Sequence, residues 1–153
     1  MNEAPLGAEE LVLALGIDDE WLHAGTLAEM LEHAAAHRDS DEAAHRVDFF
    51  DGAGKALEPL AGDDLVVYGF RRAGGPAEPA LVKRRVDAVL DRAEAYLAAH
   101  PGGPGQGYPA HMTVPRPEGS LEEVVGALRL EMLLNMSGHA AGWFHNLIHA
   151  LGG

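Results

Sequence analysis

Apolar residues fall at helical spacing near the two ends of the chain and in short dense runs between them. In "TLAEMLEHAAAHR", Leu27, Met30, Leu31 and Ala34 share one helical face. Thr26 stands at the N-cap, and Glu29, three positions on, completes a capping box. The stretch before it, "GAEELVLALGI", fits a short helix or a buried strand. The whole block 8–38 reads as helical.

Residues 46–72 change character. "RVDFF" and "DLVVYGF" are rich in β-branched and aromatic residues, and "DGAGK" and "EPLAGDD" are turn signals. They predict a hairpin or short meander. A helix must cover one face, because two strands alone are marginal. A second helix over 79–100 follows from Pro79 in its first turn and from Val82, Val86, Val89, Leu90, Ala93 and Leu97 at helical spacing. "HPGG" stops it.

Residues 101–119 hold five Pro and five Gly and read as a linker. Ser120 and Glu123 then form a second capping box. If residues 121–151 wind as one rod, Glu131, Asn135, His139, His145, Asn146 and His149 occupy a stripe about 120° wide. Leu130, Met132, Leu133, Leu134, Met136, Trp143, Phe144, Leu147, Ile148 and Leu151 cover the rest. Such a helix is mostly buried and turns its narrow polar seam to water, a cavity or a partner.

Composition limits the chemistry. The chain of 153 residues has a single-domain length and no cysteine, which excludes disulfides, thiolate metal sites, iron–sulfur ligation and cysteine nucleophiles. The Ala- and Gly-rich usage is bacterial-like. The N-terminus is acidic and lacks the basic region of a secretory signal, so a cytoplasmic location is expected. No window of 18 residues is free of polar groups, and no transmembrane helix is expected.

Charge is uneven. Residues 1–70 carry 16 acids and 3 bases, residues 71–117 carry 7 bases and 4 acids, and residues 118–153 carry 4 acids and 1 base. The acidic first part repels nucleic acid and anionic membranes and suits a basic partner or a basic region of the same molecule. Lys83, Arg84 and Arg85 stand at the positive end of a helix dipole, close in sequence to Arg71 and Arg72. Something must offset them, and the acidic N-terminal half is the nearest candidate.

The histidines give the sharpest chemical reading. His33 and His37 are four apart, as are His145 and His149, and Glu29 adds a carboxylate one turn before His33. Two such helices face to face supply four nitrogen ligands for zinc. "HNLIH" lacks the glutamate that a metalloprotease helix carries after its first histidine. Glu131 and His149 are about 27 Å apart along a straight helix and cannot share an ion.

These readings predict an α+β protein: a short antiparallel hairpin or meander packed on several helices, with a long C-terminal helix. Residues 1–100 form the core, 101–119 the linker and 120–153 the helix. The leading function is that of a small, acidic, non-enzymatic accessory, adaptor or inhibitor protein. It binds a protein partner, or a second copy of itself, through the C-terminal helix or the acidic face. Trp143, Phe144, Leu147 and Ile148 suit insertion into a groove. The rival is a histidine-ligated metal protein, with a zinc hydrolase as its enzymatic form, built on Glu29, His33, His37, His145 and His149. A third reading, an acidic imitation of nucleic acid, requires the acids to form one continuous surface.

Overall fold

The computed structural model describes residues 5–36, 47–63, 67–100 and 113–133, and positions 144, 147, 148 and 151. Its described elements are β1 (Leu11–Gly16), β2 (Leu22–Thr26), α1 (Leu27–Ala36), β3 (Val47–Asp51), β4 (Ala56–Ala61), β5 (Val67–Arg72), α2 (Pro79–Ala99) and α3 (Leu121–Leu133). The strands form one antiparallel sheet in the order β2-β1-β3-β4-β5. The class is α+β.

The first hairpin decides between the two readings of "GAEELVLALGI" in favour of the strand and corrects the helical reading of residues 22–26, while 27–36 are helical as expected. "LVLALG" is the β1 strand, and residues 12–16 are all buried. It lies between β2 and β3 with both faces covered, so it loses the alternation that marks a half-buried strand. Leu13 and Leu15 face one cluster, and Val12 and Ala14 face the other. The turn at 17–20 closes with Gly16 N–H donating to the Trp21 carbonyl at 3.0 Å and Asp19, at φ 56°, donating to the Gly16 carbonyl. Gly16 is required here, because a Cβ would stand 2.7 Å from Trp21 Nε1.

The meander expected over 46–72 has three strands. β4 had read only as a turn because its residues are mostly exposed and include Pro59. Proline is tolerated because β4 pairs with β3 only at Ala56 and Leu57; from Glu58 on, its one neighbour is β5. Asp51 makes the β3–β4 turn: its Oδ1 accepts the Ala53 and Lys55 amides, each at 2.9 Å. Gly54 takes φ +90° against the start of α2, where a Cβ would lie 2.8 Å from Pro79 N.

Both predicted capping boxes form. Glu29 N–H donates to Thr26 Oγ1 while Thr26 N–H donates to Glu29 Oε1. Ser120 and Glu123 repeat the exchange at α3. Helix α1 covers the face of Val12, Ala14, Leu57 and Phe70, contributing Leu27 and Met30, with Leu6 beside them. Helices α2 and α3 cover the other face, where Leu13, Leu15, Leu22 and Ala24 meet Val82, Val86, Val89, Leu90, Val125 and Leu128.

Phe144, Leu147 and Ile148 lie in that same cluster, at most 3% exposed. These three side chains, expected to insert into a partner's groove, pack inward here. The sheet face needs more cover than α2 and α3 provide, and these residues provide it. Positions 144, 147, 148 and 151 are helical and follow the i, i+3, i+4, i+7 spacing of a packed face. Continuity of one long rod from α3 onward depends on residues 134–143, which lie outside the described residues.

The described end of the stretch read as a linker, 113–119, is tied to the fold. Val114 is buried in the main cluster, and Arg116 pairs with Asp91 and Glu94 on α2.

Candidate functional site

Ion pairs organise the charged surface. Five arginines hold eight carboxylates among the described residues. Arg85 is the most connected. From the second turn of α2, its Nε reaches Asp19 Oδ1 at 2.7 Å, its Nη1 reaches Asp48 Oδ2 at 3.0 Å and its Nη2 reaches the Gly16 carbonyl at 3.2 Å. The guanidinium also lies 5.6 Å from the centre of the Phe50 ring. Two acids of the N-terminal half, Asp19 and Asp48, thus offset one of the three bases at the start of α2. Lys83 is held separately, donating to the Gly119 carbonyl at 2.6 Å.

Arg72 does the same work at the other end of the sheet. Its Nε donates to Asp51 Oδ2 at 2.8 Å and its Nη2 to Glu10 Oε1 at 3.1 Å. Asp51 is the one buried charged residue among those described, at 4% exposure. Two amides and a guanidinium saturate its carboxylate, which is the condition for burying it. Glu10 lies below the usual carboxylate range, first because the Gly7 amide donates to it and second because Arg72 does.

A cleft of about 330 Å³ opens beside this pair, lined by Glu9, Glu10, Leu11, Asp51, Gly52, Ala53, Arg72 and Glu122. Four separate segments build it: the turn before β1, the β3–β4 turn, the end of β5, and the first turn of α3. Four carboxylates face one guanidinium. Arg72 is committed to Asp51 and Glu10, while Glu9 and Glu122 are exposed on the wall. Gly52 lies beside Glu122, whose Cγ stands 3.4 Å from where a Cβ would be. Such a lining favours an ammonium or guanidinium and disfavours a phosphate or carboxylate. The sequence marked Asp51 only as part of a turn and did not single out Glu9 or Glu122. The "DGAGK" turn was visible, but the arrival of Arg72 and Glu122 depends on strand register and helix docking.

Glu29, expected as a metal ligand, is placed in an ion pair. Arg129 Nε meets Glu29 Oε1 at 2.6 Å and Nη2 meets Oε2 at 3.2 Å, so the pair ties α1 to α3 across 100 residues. Burial raises the affinity of Glu29 for a proton, but the bonds from Arg129 and the Thr26 amide outweigh it and hold the carboxyl below its usual range. His33 lies in α1. His37, His145 and His149 lie outside the described residues, as do Trp143, Asn135, His139 and Asn146. Glu131 is in α3 and half-buried. Among the described residues no group of three or more His, Cys, Asp or Glu is arranged to hold a metal ion. None of the described helices is long and apolar enough to cross a membrane.

Compared with known proteins, the chain matches no family model, no curated protein and no solved structure.

Proposed function

We propose that this chain is a small, acidic, non-enzymatic protein that binds a basic segment of another protein through the exposed carboxylates of Glu9 and Glu122 in this cleft. The observation that carries this reading is the excess of carboxylates around the cleft, where the single arginine already has two partners. The burial of Phe144, Leu147 and Ile148 moves the expected contact from the C-terminal helix to the acidic face. The pairing of eight acids with arginines of the same chain interrupts the anionic surface and argues against imitation of nucleic acid, which needs that surface unbroken.

Magnitudes shape the proposal. Each exposed pair formed in the cleft is worth less than about 1 kcal/mol. One lysine would not hold, so the partner presents several basic residues in a row, and charge governs encounter rate and selectivity more than raw affinity.

The test uses a fluorescent oligo-arginine peptide and full-length protein, read by anisotropy over a salt series. Replacing Glu9 and Glu122 together by lysine is expected to weaken binding at least tenfold with an unchanged melting temperature. A control pair, Glu32→Lys with Asp87→Lys, makes the same change in net charge on exposed positions of α1 and α2. If the control weakens binding as much as the cleft variant does, only overall charge is at work and the cleft reading fails.

A further inference from the structure

We draw no further inference here: the strongest candidate outside the cleft, the outer edge of β5 around the exposed Tyr68, is already met at the Phe70 carbonyl by the Leu6 amide, and nothing in the structure shows what would cover the remainder.

Discussion

The two sides of β1 are built from different distances along the chain. On one side, Val12 and Ala14 meet Leu6, Leu27 and Met30, all within the first thirty residues, with Leu57 and Phe70 added from the meander. On the other, Leu13 and Leu15 meet α2, α3 and a set of residues as remote as Phe144, Leu147 and Ile148. The smaller side is closed by α1 and a short N-terminal segment. The larger side needs the far end of the chain to be complete. One strand therefore couples a nearly local core to a strongly non-local one.

The sharpest way to break this contrast is Phe144→Ala. Its ring is essentially fully buried, so the loss is expected at about 3–5 kcal/mol in urea denaturation. A loss near zero would mean that the C-terminal residues are an appendage, and the contrast would disappear. Met30→Ala probes the smaller side. Its expected cost is lower, about 2–3 kcal/mol, because a small cluster near the surface collapses more readily around a cavity. Equal losses from the two substitutions would show that the sides differ in extent but not in tightness.

Charge sharpens the same comparison at smaller amplitude. Asp51→Asn keeps an oxygen for the turn amides but removes the counter-charge of Arg72. Breaking a fully buried pair costs about 3–5 kcal/mol. The Arg72 side chain is 24% exposed, so water recovers part of this, and about 2 kcal/mol is expected. An unchanged unfolding midpoint would show that the pair contributes nothing.

The smallest effect belongs to the tie between the two sides. Arg129→Met removes the pair that joins α1 to α3 and should cost less than about 1 kcal/mol at neutral pH. The folded state holds the Glu29 carboxyl below its ordinary value. The stabilisation is therefore complete above the unfolded carboxylate range and is lost as pH falls through the lowered folded value. The difference between wild type and variant should accordingly shrink with acidification and vanish once Glu29 is protonated. A difference that stays constant from neutral to acid pH would remove Glu29 from the explanation.

Particular residues show why some features were readable and others were not. Thr26 with Glu29 and Ser120 with Glu123 make their bonds within four residues, so both helix starts could be placed from spacing alone. Helix α2 was equally plain, because its apolar positions from Val82 to Leu97 repeat at helical spacing over about four turns. Leu11–Gly16 stayed open between helix and strand because a strand covered on both faces carries no alternation. Ala56–Ala61 was missed because an exposed strand interrupted by proline looks like a turn. Glu29 carried the spacing of a metal ligand, yet its partner is an arginine 100 residues away, and no local pattern encodes that meeting.

By itself, the amino-acid order determined the α+β class, both capped helix starts, the absence of cysteine chemistry and the need for acids to neutralise the start of α2. These follow from groups that are neighbours along the chain or from totals that do not depend on geometry. Tertiary structure alone decided that the C-terminal apolar residues turn inward, that Asp51 is buried beneath Arg72, and that Glu9 and Glu122 share a wall. Each of those depends on sheet register and helix docking, where many weak contacts between distant segments choose one arrangement together.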